Sequence, residues 1–374
     1  MKKIKILFTI FVLILCVNSL SSCNEDESII QENGIKYKFY SDSDVTYAEI
    51  VGITPTFPSM QIDTLVIDSV QGYPVTAIRD KAFSGCKNFR KLVIGDSVKT
   101  IGEYAFNYCT AITEVEIGTG VTAIEDFVFA NCDSLITINI PGNIDTIGTF
   151  AFGGCNKLEK AIIEDGITHI GESAFESCKN LKEICIPESV ISMDKYAFRL
   201  CDSLEEITIP NSVTNMGELI FFKCSNLKAV VIGDNLSVIP DQAFLMCKNL
   251  TEVKFGNNVT KIGSAAFSTC ESLASVDLPA SLTFVDDLAF ENCKSLKEVE
   301  FPNGVTTIGS WVFKSCSNLT SVYIPNSVIT TGDFIFNDCD KLIIYCQASA
   351  KPQGWDNNWN TDYADIRIPT KWGR

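Results

Sequence analysis

One spacing governs this chain. Twelve cysteines, Cys86, Cys109, Cys132, Cys155, Cys178, Cys201, Cys224, Cys247, Cys270, Cys293, Cys316 and Cys339, follow one another every 23 residues without an insertion. A phenylalanine stands three residues before each of them, from Phe83 to Phe336. A fixed short period is the signature of a solenoid, in which each coil buries its apolar face only against its neighbours. Length alone, 374 residues, suggests two or three globular domains; the unbroken period predicts one elongated domain instead. Such an array offers a long ligand-facing surface rather than a single catalytic pocket.

Within one coil, Ile101, Ala105, Phe106 and Cys109 fall at i, i+4, i+5 and i+8, the spacing of one face of a short helix. Val115 and Ile117 then alternate with Glu114 and Glu116, the period of a half-buried strand. Proline follows the strand at Pro141, Pro187, Pro210, Pro279, Pro302 and Pro325, where it stops the strand and fixes a bend. The predicted fold class is an α/β solenoid of twelve 23-residue coils. A parallel sheet forms one face and short helical segments the other. The phenylalanines become a buried spine, and the cysteines a reduced ladder of small hydrophobes.

A solenoid must close both ends of its core. Residues 34–74, rich in Tyr, Thr and Val, are expected to form a strand-rich N-terminal cap, with Ile62, Leu65 and Ile67 as the strand side of a partial coil. The solenoid occupies 75–347. Residues 348–374, with Trp355, Trp359, Tyr363 and Trp372, form an aromatic C-terminal cap. An aromatic cluster near a tip also suits sugar binding.

The first 22 residues read as a secretory leader, with a basic start and a short apolar run, Ile6–Val17. Leu20-Ser21-Ser22-Cys23 resembles the lipobox of bacterial lipoproteins, which makes Cys23 the lipidation site and residues 23–33 an acidic tether. Asn24-Glu25-Asp26-Glu27 looks like the acidic signal that sends lipoproteins of Bacteroides-type bacteria to the outer surface. The expected location is therefore the outer membrane, lipid-anchored and facing outward. The expected membrane contact is the lipid anchor.

The chain carries a formal charge of −16, so nucleic acid is an unsuitable partner. Cysteines one coil apart lack the close pairing that builds zinc sites, and no metal or other cofactor is expected. His169 is the only histidine; a hydrolase needs it beside a nucleophile and an acid, and its place reads as an exposed turn. Acidic pairs such as Glu205-Glu206 and Asp286-Asp287 read as solvated faces rather than a glycosidase site. No catalytic residue is assigned. Cys185 and Cys346, each seven residues after a ladder cysteine, are expected to point outward. At one strand spacing per coil they lie ~34 Å apart, too far for an internal disulfide.

The outward side chains of the strands form two columns that vary while the inward columns hardly change. The candidate binding face comprises Lys91, Glu114, Glu116, Asn139, Lys160, Ile162, Glu183, Glu206, Thr208, Val231, Glu252, Lys254, Asp277, Glu298, Glu300 and Tyr323. Ile344 and Cys346 are expected to end those columns.

The motif A-F-x-x-C-x-x-L-x-x-V-x-I-P, as in Ala197-Phe198, Cys201, Leu204, Ile207 and Ile209-Pro210, resembles the BspA-type leucine-rich repeat. Gly72-Tyr73-Pro74-Val75-Thr76 resembles the lead-in to such arrays, and Gly354 to Asn360 their tail. The resemblance implies a leucine-rich-repeat solenoid on a bacterial surface lipoprotein. It also implies a non-catalytic recognition or adhesion role toward a host matrix or other cell-surface protein. Two alternatives remain at this point: a glycan-binding accessory lipoprotein using the tryptophans, or a self-assembling structural surface protein. Oligomeric state is open.

Overall fold

The computed structural model describes residues 29–42 and 45–374. The leader expected over 1–22, Cys23 and the acidic run after it lie outside the described residues. Ile29–Glu32, expected to lie in the tether, is instead a strand, β1, paired antiparallel with β2 (Ile35–Asp42). Asn33 and Gly34, at φ 51 and 78, supply the two left-handed residues that a tight hairpin turn requires. β2 runs antiparallel to β3 (Val45–Ile53).

β4 (Thr64–Ile67) lays down the first rung of the long sheet, since β5 (Ser69–Val70) and β6 (Tyr73–Ile78) turn back through Gln71-Gly72 while β4 pairs in parallel with β7 (Lys91–Ile94). β3 in turn lies parallel to β6, which starts a second ladder by pairing with Thr100–Ile101. The N-terminal hairpin thus continues the short-strand side, and β4 the long-strand side.

Each coil then carries a long strand, a turn and a two-residue strand, as in Glu114–Ile117 and Ala123–Ile124. Long strands stack in parallel and in register, Lys91 beside Glu114, Thr137, Lys160 and Glu183. The result is a parallel β-solenoid of about 14 turns of ~23 residues. Regular strand geometry lapses around Val276, yet Val276 stays buried and Asp277 exposed, as on neighbouring rungs.

The helical segments expected opposite the sheet are not formed. In their place, i→i−3 turns alternate with bonds to the next coil. Ala105, Asn107 and Cys109 donate back to Gly102, Tyr104 and Phe106, while Tyr104, Phe106 and Tyr108 donate forward to Asp126, Val128 and Ala130. Two left-handed residues per coil make this possible, such as Tyr104 and Tyr108 at φ 58. Only Gly85 and Gly154 among those places are glycine. Left-handed backbone costs an ordinary residue roughly 1–2 kcal/mol, which the coil-to-coil bonds offset.

The core is one continuous cluster. All twelve spine phenylalanines are fully buried, with neighbouring ring centroids from 5.2 Å (Phe244 and Phe267) to 5.7 Å (Phe313 and Phe336) apart. Phe57 closes one end, tilted 58° against Phe83, and Trp359 meets Phe336 at 75° at the other. Trp355 and Trp359 are buried, and Trp355 Nε1 donates to the Val328 carbonyl at 3.0 Å. The strand Thr370–Trp372 then adds a final parallel rung beside Ile343–Cys346.

The cysteines do more than fill space. Cys109 Sγ donates to the Phe83 carbonyl at 3.1 Å, and the same bond, reaching 26 residues back, recurs in every later coil to Cys339. The thiols therefore tie coils together in their reduced form. Burial pushes the Cys155 and Cys247 thiols up to about 12, so they carry little thiolate near neutral pH.

Cys346 departs from expectation. It is buried, as is Ile344, because the last coil has one residue fewer between Leu342 and its strand. Ser321 pairs with Ile343 rather than Ile344, and a one-residue shift moves every side chain to the other face. Cys185 alone among the described cysteines is exposed. In the folded protein a disulfide-exchange reagent should label Cys185 rapidly and the other described cysteines only on unfolding. Fast labelling that survives Cys185→Ser would contradict this.

Candidate interaction face

On the long-strand face the candidate residues do point outward, and all are exposed except Lys91, which is half-buried. The structure brings them together as two parallel files running across the strands. Ile343 and Tyr345 continue the files in place of Ile344 and Cys346.

The charges are not evenly matched along this face. Lys91 Nζ donates to Glu114 at 2.9 Å and also to Glu116. Those bonds, to Glu116 first and Glu114 next, hold the lysine pKa above its usual range. Lys160 pairs with Glu183 at 2.6 Å and keeps that carboxyl below its usual range. Lys254 pairs with Glu252 at 3.0 Å. Among the described residues Glu206, Asp277, Glu298 and Glu300 have no ion pair, so the surplus of negative charge sits toward the C-terminal half. Ile162 and Val231 are isolated apolar points on the face, 45% and 38% exposed.

Beyond Glu300 the outer file becomes aromatic. Tyr323 and Tyr345 stack at 4.8 Å, and Lys371 Nζ stands 5.1 Å from the centroid of Tyr345. Glu300, Tyr323, Tyr345, Gln347 and Arg374 line a shallow depression of about 140 Å³ beside them. A larger open groove, about 570 Å³, lies where the N-terminal hairpin meets the first coils. Its walls include Glu49, Arg79, Asp80, Glu103 and Glu125, and Arg79 is held there by Glu49 at 3.0 Å and by the Tyr40 hydroxyl.

His169 is not a turn residue. It opens a short strand, with Nδ1 2.7 Å from Ser192 Oγ and Nε2 3.1 Å from Asp194 Oδ2. This brings a hydroxyl, an imidazole and a carboxylate together, a set that sequence spacing did not suggest because each comes from a different strand or turn. The site is half-exposed, and the two depressions above are lined by other residues. Asp286 is engaged by Lys261 at 2.8 Å, Asp287 caps the Ser310 N–H, and Glu205 pairs with Lys228 at 2.7 Å. These acids hold coils together. Among the described residues no group of three or more His, Cys, Asp or Glu is placed to hold a metal ion, and no helix is long and apolar enough to cross a membrane.

Sequence reasoning also missed a half-exposed aromatic file on the turn side. Tyr104 stacks on Phe127 at 4.6 Å, and Phe127 meets Phe150 at 5.5 Å. These residues occupy the first left-handed place of their coils, so a periodic column was available as a signal.

BspA type leucine rich repeat regions match over 76–201, 168–297 and 237–350, in six copies. No curated protein matches this chain in sequence. Among solved structures, a leucine rich cell surface protein from Faecalibacterium prausnitzii is 24% identical with a TM-score of 0.51, over 90% of this chain and 98% of that one. The pneumococcal vaccine antigen PcpA is 21% identical with a TM-score of 0.52, over 92% of this chain and 93% of that one. A leucine-rich repeat protein from Bacteroides ovatus is 25% identical, with a TM-score of 0.46 over 84% and 99%.

Proposed function

This chain belongs to the BspA type leucine-rich repeat family, and from that premise we propose that it is a surface-displayed recognition scaffold, tethered to the outer membrane through a lipid on Cys23. It holds a protein partner, a host matrix or cell-surface protein, against its long-strand face, and it carries out no reaction. The observation behind this reading is the contrast between the two sides of each long strand. Inward residues such as Val115, Ile138 and Val230 are buried, while the outward files differ from coil to coil and are freed from packing. A solenoid face of this kind binds through many shallow contacts. The Faecalibacterium neighbour, itself a cell surface protein, fits the same placement. The family fold is typically a non-catalytic scaffold.

Burial narrows the basis of both alternatives. Trp355 and Trp359 are buried in the cap, which leaves Tyr363 and the half-buried Trp372 as its accessible rings for a glycan. Cys346 is buried too, so disulfide self-assembly is left with Cys185 alone.

Protease shaving of intact cells tests the placement. The full-length protein should be removed from the cell surface, and Cys23→Ser should leave the membrane fraction. Protection of the wild-type protein in intact cells would mean that it faces the periplasm and would end the adhesion reading.

A further inference from the structure

The last rung of the long-strand sheet, Thr370–Trp372, has a neighbouring strand on one side only. Ile344 pairs with Thr370, and the Ile344 N–H donates to the Pro369 carbonyl at 2.9 Å. Backbone groups of successive strand residues point alternately to the two sides. Those of Lys371 therefore face the sheet. The N–H and C=O groups of Thr370 and Trp372 face the other way, where no strand lies among the described residues. Such an open edge is a template for one more strand. The side chains beside it are of two kinds. Trp372 is on the core side, in line with the buried Cys346, yet it is only half-buried, 6.0 Å from Trp355 and 6.1 Å from Trp359. Lys371 is exposed on the outer side, over Tyr345. Residues 366–374 hold Arg367, Lys371 and Arg374 and no acid, in a chain of net charge −16. Among the described residues none of the three makes an ion pair. Arg374 reaches back into the depression beside Glu300 and Tyr323, which leaves Lys371 as the cation on the edge strand itself.

We propose that this edge takes an extended segment of the partner protein as one further rung, with an acidic residue beside Lys371 and an apolar residue on each side of it. Main-chain bonds to Thr370 and Trp372 supply affinity, and alternate side chains supply the choice of segment. Side chains of a strand alternate between faces. The residue beside Lys371 is therefore flanked by two that point to the core side, where they cover the rest of Trp372. The new rung stands ~4.8 Å beyond Thr370–Trp372, within reach of the lysine ammonium. Proline and lysine are common guards of an open edge, but here Pro369 lacks its N–H on the sheet side, and Lys371 deters only cationic segments. A second copy is the poorer occupant: two such edges paired about a two-fold axis set the Lys371 ammonium groups side by side. The site rests on the reading of the chain as a protein-recognition scaffold, and it names the kind of segment that the far end of its sheet selects.

The test is titration of the detergent-purified full chain with a blocked Gly-Ser-Val-Glu-Val-Ser-Gly peptide, followed by calorimetry, tryptophan fluorescence and amide hydrogen exchange. A version with lysine in place of glutamate, and a fully N-methylated version, are the comparisons. The glutamate peptide should bind, shift tryptophan emission and slow exchange of the Thr370 and Trp372 amides. Both comparison peptides should bind more weakly. Lys371→Glu should weaken the glutamate peptide about tenfold or more, a change of ~1.4 kcal/mol, and should favour the lysine peptide. Lys157→Glu, at an exposed site many coils away, should bind as the wild type does. Both substitutions are on the surface, and unchanged circular dichroism would show that folding is intact.

Equal loss in Lys157→Glu and Lys371→Glu would reduce the effect to general attraction between unlike charges and overturn the site. Undiminished binding of the N-methylated peptide, or unchanged exchange at Thr370 and Trp372, would mean that the strand edge is not used and would overturn it as well. Protection of those two amides that rises with protein concentration alone would give the edge to a second copy and end the proposal. Failure of the wild type to bind any peptide at low salt ends it too. None of these results touches the shaving experiment, which decides surface display separately.

Discussion

Phe221→Ala should lower stability by roughly 3–5 kcal/mol, the cost of removing a buried ring and leaving the space it filled. Phe221 is fully buried in mid-array, stacked at 5.4 Å on both Phe198 and Phe244. The loss is two ring contacts and one wall of the core. Because each coil touches only its neighbours, stability in such an array is close to a sum of coil and interface terms. The substitution weakens the two interfaces at the centre and leaves the others intact. Thermal unfolding followed by circular dichroism should broaden, or separate into two steps. Hydrogen exchange should rise first in the coils flanking residue 221. A single sharp transition shifted by less than a degree would mean that the spine carries little of the stability.

Trp359→Ala should cost a similar amount, roughly 3–5 kcal/mol, but in a different place. Trp359 is 1% exposed and meets Phe336, Trp355 and Trp372 within 6.3 Å. Its removal uncovers the last spine ring and loosens the final strand. Limited proteolysis should then release the C-terminal segment, and exchange should spread inward from the last coil while the first coils keep their protection. Uniform loss of protection along the whole array would contradict a local closing role.

The apolar columns were readable because a period of 23 puts like on like: Phe83 to Phe336 and Cys86 to Cys339 had to stack. The turn side was not readable in the same way. Ile101, Ala105, Phe106 and Cys109 have helical spacing, but spacing does not report φ. The left-handed places hold Tyr104, Leu200 and Trp311 rather than glycine. Coil-to-coil bonds stabilise that backbone, and they exist only once coils have stacked. The last coil misled for a simpler reason. Counting seven residues from Cys339 to Cys346 assumed a constant period, and the missing residue after Leu342 turned the thiol inward. On the long-strand face the exposed residues were legible from alternation alone. The pairing of Lys91 with two glutamates, and hence the contrast with Glu298 and Glu300, needed three-dimensional register.

Phe57 and Trp359 each meet only the nearest ring of the stack, so neither end senses how many coils lie between them. Duplication or loss of whole units by unequal recombination would lengthen or shorten the molecule's reach while both ends stayed closed. A one-residue slip ahead of a strand, as in the last coil, turns that strand's files of side chains inside out. The reach of such a protein can therefore change in steps of ~4.8 Å, with both ends of the core closed in the same way.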